Sequence, residues 1–217
     1  YNGDAVYGER KQNYYYNRIF QGNQAGSPTG EYGAGGALAL NFCTSSFINC
    51  LFNGNKSLGR LDGGGGAFFI ETSNVSLYNC TFYNNQSTSL FNSSTEQGNA
   101  IAIGSYGTAG SAVNLTNSII YGQKPYPITA FPNNSFTMSH SLVKDFYYDA
   151  NKDGYVDSLD FVENLPYYLD PMFQDAARND FRLKPASPCI NAGTMATDFY
   201  PVDLAGTPFF QDNKFDL

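Results

Sequence analysis

Charge is scarce in this chain. Only 14% of its 217 residues are Asp, Glu, Lys or Arg, and the 12 basic residues form no cluster that could neutralise a row of phosphates. Nucleic acid is therefore not an expected partner. No apolar run approaches the ~20 residues that a membrane-crossing helix needs, so no membrane span is expected. His140 is the single histidine. Without a second, a Ser-His or Cys-His pair has only one candidate base. The four cysteines, Cys43, Cys50, Cys80 and Cys189, lack metal-ligand spacing and leave the redox compartment open. An initiator Met and a signal peptide are also missing, as expected of a mature piece.

What is present points to β-structure. Hydrophobic residues make up 42%, with 18 Phe, 17 Tyr and 22 Gly. Phe and Tyr favour strands, while Gly and the abundant Asn favour turns and positive φ. The length suits one domain with a substantial core. The net charge is −7, and 13 of the 19 acids lie from Asp145 onward.

Internal repeats decide the fold class. "YYNRIFQGN" (15–23), "INCLFNGN" (48–55), "YNCTFYNN" (78–85) and "TNSIIYG" (116–122) align without gaps on Asn17, Asn49, Asn79 and Asn117, and "SHSLV" (139–143) is a degenerate fifth copy. A second set precedes three of them: "GGALAL" (35–40), "GGAFFI" (65–70) and "GNAIAI" (98–103). Period-2 strands recurring about every 30 residues between Gly/Asn/Ser loops describe a solenoid. The expected fold is all-β, a single-stranded right-handed parallel β-helix with long loops. In such a coil each turn stacks ~4.8 Å from the last, so like residues lie over like. Phe20, Phe52, Phe82 and Ile120 should form an interior apolar ladder. Leu38, Phe68 and Ile101 should form one column, and Leu40, Ile70 and Ile103 another. Ala37, Ala67 and Ala100 are expected on the opposite face. The four Asn should form an amide ladder at a bend, with His140 below Asn117. Cys50, Cys80, Ser118 and Ser141 should share a column of small inward residues, the thiols stacked rather than bridged. Segments 53–64 and 86–97 are expected to project as loops.

"DANKDGYVDSLD" (149–160) stands apart as a calcium-loop pattern. Asp149, Asn151, Asp153 and Asp157 offer side-chain oxygens, Tyr155 its carbonyl and Asp160 a closing carboxylate, with Gly154 at the sharp turn. "SLDFVENL" (158–165) should start a short helix, stopped before Pro166. One structural Ca²⁺ is expected to order this insertion. Sensor proteins pair two such loops, and here there is one.

Taken together, the rungs "GGA-φ-x-φ … φ-x-N-C-x-F-x-x-N" resemble those of right-handed parallel β-helix repeat proteins of bacterial surfaces. The tail "LDPMFQDAARNDFRLKPASPCINAGT" (169–194), followed by "PVDLAGTPFFQDNKFDL" (201–217), resembles the terminal rungs of secreted, adhesin-like members from Bacteroidota. The 149–160 loop resembles dockerin and EF-hand loops, and is not part of the ordinary rung pattern. The resemblance implies a protein at the bacterial cell surface or secreted from it, exported by the type IX pathway, with contacts to secretion machinery. The chain stops at Leu217, before the Gly-Ala-(Tyr/Phe)-Glu that usually follows in the family, which implies a longer protein. Domain boundaries follow: one β-helix domain over 1–217, with a partial rung over 1–32, core rungs over 33–145, the calcium-loop insertion over 146–168, and C-terminal rungs and cap over 169–217.

A non-catalytic adhesin-like scaffold binding extended ligands such as glycans is the leading expectation. The rival is a polysaccharide lyase or glycoside hydrolase on the same fold. Hydrolysis needs two carboxyl groups facing one sugar bond. The rungs offer Glu31, Asp62, Glu71 and Glu96 at non-equivalent positions, and Arg60 beside Asp62 fits a solvated surface pair. No catalytic residue is assigned. Exposed aromatics among Tyr14 to Tyr16, Tyr126, Tyr147 and Tyr148 are candidates for stacking on sugars.

Overall fold

A computed structural model of the chain describes residues 6–27, 30, 32–59, 61–88, 98–104, 108–122, 126–130, 133–146, 164–195, 204, 206, 210–211 and 214–215. The described chain is all-β apart from one 3₁₀ turn, Ala176–Arg178. Its strands stack as parallel sheets, a topology consistent with a β-helix-like solenoid.

Each turn of chain contributes one strand to each of three five-stranded walls. The first wall stacks Val6–Glu9, Leu38–Asn41, Phe68–Glu71, Ile101–Gly104 and Ile128–Ala130. The second stacks Gln12–Tyr16, Thr44–Ile48, Asn74–Tyr78, Ala112–Thr116 and Ser135–Ser139. The third stacks Ile19–Gln21, Leu51–Asn53, Thr81–Tyr83, Ile119–Tyr121 and Leu142–Val143. A fourth, shorter stack pairs Gln24–Gly26, Lys56–Leu58 and Gln86–Ser87. Segment 53–64 is therefore largely strand rather than a projecting loop, and 86–97 begins as strand.

The expected columns are in register. Phe68 pairs with Leu38 and Ile101, and Phe82 with Phe52 and Ile120. The rings of Phe20, Phe52 and Phe82 stack with centroids 4.9 and 4.6 Å apart. Alternation drives this packing. In a strand every second side chain faces the same side, so Leu38 and Leu40 point inward while Ala39 and Asn41 do not. Ala37, Ala67 and Ala100 depart from the expectation: they are buried in the same core as the apolar columns. They precede the strands, at a corner where the period-2 pattern no longer applies.

Corners are single residues in the left-handed region. Arg10, Phe42 and Thr72 (φ 48, 53 and 47°) turn the chain from first wall to second, and Asn17, Asn49, Asn79, Asn117 and His140 (φ 46–54°) turn it from second to third. Gly22, Gly54, Asn84, Gly122 and Asp145 leave the third wall, while Gly35, Gly65, Gly98 and Tyr126 re-enter the first. Asn tolerates this conformation better than other L-residues, which explains the recurrence of Asn at the second of these corners physically. At Gly65 (φ 67°) a Cβ would sit 1.6 Å from the Phe68 carbonyl oxygen, so the "GGA" signature is steric.

Inside each corner the next residue is small and polar, and its side chain caps the rung above. Cys43 N–H donates to Ser73 Oγ (2.9 Å), Ser73 N–H to Ser111 Oγ (3.1 Å), and Ser111 N–H to Asn134 Oδ1 (2.7 Å). At the next corner Cys80, Ser118 and Ser141 repeat the pattern, ending on Asn164. At the third corner Asn23, Asn55 and Asn85 form a buried amide ladder at 2.8–3.0 Å. These groups satisfy backbone donors that a turning chain would otherwise bury unpaired. All four cysteines are buried free thiols.

Asn164 belongs to the stack again: its Oδ1 accepts from Ser141 N–H at 3.2 Å. Leu165 N–H then bonds Ser141 O, and Asp145 N–H bonds Tyr167 O, so 164–167 packs as a continuation of the rungs. Within 169–217 the described strands pair antiparallel: Phe173–Asp175 with Asp180–Leu183, and Phe210–Gln211 with Lys214–Phe215. The first pair lies against the outer face of the third wall. There Phe173, Phe181, Leu183 and Cys189 cover Ile119, Leu142, Tyr83 and Tyr121 as a second apolar cluster. Asn53 Nδ2 donates to Asn179 Oδ1 at 2.7 Å, and Asn117 pairs twice with the Thr194 backbone.

Candidate functional site

The outer face of the first wall holds a concave site. Side chains alternate, so the outward positions are Tyr7-x-Glu9, Ala39-x-Asn41 and Phe69-x-Glu71 on three adjacent strands. Two columns result. Tyr7, Ala39 and Phe69 form one, with a methyl group between two aromatic rings. Glu9, Asn41 and Glu71 form the other, with an amide between two carboxylates. A cleft of about 320 Å³ opens here, lined by Tyr7, Ala39, Asn41, Phe69 and Glu71 together with Ala34 from the strand Tyr32–Ala34.

Two acceptors of this cleft, the Asn41 amide oxygen and the Glu71 carboxylate, stand side by side. Tyr7 is 64% exposed, so its ring face is open to a ligand. Asn41 Oδ1 is buried and has no hydrogen-bond partner among the described residues. Burial raises the Glu71 carboxyl above the ordinary Glu range, and no cation offsets this. Glu9 differs, since Arg10 Nη1 lies 3.0 Å from its Oε1. Arg10 also lies over the Phe42 ring, 5.4 Å from its centroid. A shallower depression beside this pair is lined by Arg10, Lys11, Gln12, Phe42 and Thr44.

The equivalence of Glu9 and Glu71 corrects the sequence reading, which counted acids only at non-equivalent positions. "YGERKQN" (7–13) aligns with "ALNFCTS" (39–45) and "FIETSNV" (69–75) at the same spacings of 32 and 30 as the Asn column. Extending the repeat one rung toward the N-terminus would have revealed it.

The calcium-loop residues Asp149, Asn151, Asp153, Tyr155, Asp157 and Asp160 lie outside the described residues, as does most of the helix expected over 158–165. Glu31, Arg60 and Glu96 lie outside them too, and Asp62 is described by its backbone alone. Among the described residues no group of three or more His, Cys, Asp or Glu is placed to hold a metal ion. His140 occupies the corner column below Asn117, and its Nδ1 is buried without a partner among the described residues. No described helix is long and apolar enough to cross a membrane. Burial pushes the Cys80 thiol well above its usual range, while a hydrogen bond with Cys80 lowers that of Cys50. Both thiols are buried in the core, out of reach of a substrate.

No protein-family model, curated protein or solved structure matches the chain.

Proposed function

We propose that the chain is the stacked-rung region of an extracellular, surface-displayed scaffold of adhesin-like type, which binds extended glycans along the outer face of its first wall. One observation carries this reading: an alanine floor between Tyr7 and Phe69, edged by the unpartnered acceptors of Asn41 and Glu71. Sugars present C–H faces to aromatic rings and hydroxyl donors to such acceptors. A rigid parallel stack repeats its outward side chains along one direction, which suits a polymer. The coil is taken as right-handed, because crossovers between parallel strands of one sheet have that hand in nearly all proteins. Export by the type IX pathway, and origin in Bacteroidota, rest on the tail motif. One Ca²⁺ held by Asp149, Asn151, Asp153, Tyr155, Asp157 and Asp160 completes the proposal. It would order a segment whose two ends are already fixed to the last rung.

A glycan array followed by calorimetry on hits tests the reading. Tyr7→Ala should weaken binding about fivefold with the fold intact, since one aromatic contact contributes on the order of 1 kcal/mol. An array without hits would refute it. The second reading, a carbohydrate-active enzyme, draws on Glu9 and Glu71 standing two rungs apart, ~9.6 Å between backbones at the usual strand spacing. Inverting glycosidases hold their carboxyl groups at about 6.5–9.5 Å. Release of reducing or unsaturated ends from a polysaccharide panel, abolished by Glu71→Gln, would establish that reading.

A further inference from the structure

The cleft sets a carboxylate beside a buried amide oxygen, both without a partner among the described residues, and this narrows the ligand. Asn41 and Glu71 are paired residues on neighbouring strands, so their side chains leave the wall side by side. Asn41 Oδ1 is buried without a partner, and the Glu71 carboxylate has neither hydrogen bond nor ion pair among the described residues. A buried acceptor left unpaired is costly, so a bound group that donates to both is favoured over one that reaches only one. A sugar hydroxyl has a single O–H, whereas an ammonium has three N–H donors and a charge opposite to that of Glu71. The cations near this wall do not compete for Glu71. Arg10 is held by Glu9 at 3.0 Å and lies over Phe42, and Lys11 lines the neighbouring depression. The exposed Tyr7 ring adds a cation-binding face.

We propose that the cleft binds a protonated 2-amino-sugar residue of a glycan, the ring seated over Ala39 beside Tyr7 and the ammonium shared by Glu71 and Asn41 Oδ1. This rests on the glycan-binding reading and specifies its ligand. An N-acetylated sugar brings one neutral donor in place of the ammonium. A uronic acid brings a carboxylate that Glu71 repels.

The test uses calorimetry at pH 6 and low salt with four defined hexamers: β-1,4-linked glucosamine, its N-acetylated form, the unsubstituted glucose oligomer and a uronic-acid oligomer. The glucosamine hexamer should bind at least tenfold more tightly than the others. Glu71→Gln should remove that preference. Because the chain carries a net charge of −7, any polycation is attracted to it. Asp175→Asn, which removes one charge from the tail, controls for this and should leave the preference unchanged. Equal loss in the two variants overturns the proposal, as does equal binding of glucosamine and neutral hexamers. In that last case the glycan reading stands. Preference for the uronic-acid hexamer also overturns it and moves the site to Arg10 and Lys11. No binding by any hexamer or by any arrayed glycan sinks both readings.

Discussion

Replacing Asn55 by Ala tests how the third corner is held. Asn55 is fully buried. Its Oδ1 accepts from Asn23 N–H at 3.0 Å and from Asn23 Nδ2 at 2.8 Å, and its Nδ2 donates to Phe20 O and Asn85 Oδ1 at 2.9 Å each. Truncation removes four hydrogen bonds inside a core where water has little access. At about 1 kcal/mol per bond the loss is ~4 kcal/mol, and stranding buried partners keeps it near the upper part of the usual range. Asn55→Asp refines the argument: the carboxylate can still accept from Asn23 but faces Phe20 O and Asn85 Oδ1 with no proton to donate. It should cost at least as much as Ala at pH 7. Urea denaturation followed by circular dichroism, with slopes compared between variants, measures both changes. A loss below ~1 kcal/mol for Asn55→Ala would refute the claim that side-chain amides carry this corner.

Three further outcomes are expected. Gly65→Ala should destabilise far more than Gly54→Ala. Both positions have positive φ, costing roughly 1–2 kcal/mol for an L-residue, but a Cβ at Gly54 meets nothing within 4 Å while one at Gly65 meets backbone at 1.6 Å. Thermal melts compare them, and equal losses would contradict the steric account of the "GGA" signature. Glu71→Gln should stabilise the fold at pH 7 relative to pH 3. Burial raises the native carboxyl, so the native state holds its proton more tightly than the unfolded chain, and wild-type stability falls as pH rises from the unfolded value of ~4.3 through the raised native value. The amide removes that slope, and parallel stability–pH curves for the two proteins would contradict it. Chelation of calcium should lower the melting temperature, by mass action worth ~2.7 kcal/mol at a hundredfold excess of ion over Kd. Unchanged melting with and without chelator would remove the ion from the proposal.

Much of the stack was legible in the sequence, because a coil that returns every ~30 residues forces equivalent positions into contact. Phe20, Phe52 and Phe82 could be named as a ladder without coordinates, and so could the Asn17–Asn117 column. Local chemistry marks the repeat: the left-handed corner between the second and third walls is Asn in four of its five copies, and the inward caps are Cys, Ser and Asn. Spacing along a chain says nothing of what lies outside the stack. The antiparallel pair at Phe173–Leu183 covers the third wall, and no local pattern announces that partner. Asn23, Asn55 and Asn85 were visible in the aligned segments, yet only the turn of the chain shows that they point inward and bond one another. The cleft also arose from tertiary structure. Tyr7, Ala39 and Phe69 are far apart in sequence and dissimilar in type, and they form a site because parallel register lays three strands side by side with alternate side chains facing out. Periodicity thus fixed which residues stack, while folding decided which surfaces were closed and which were left open to bind.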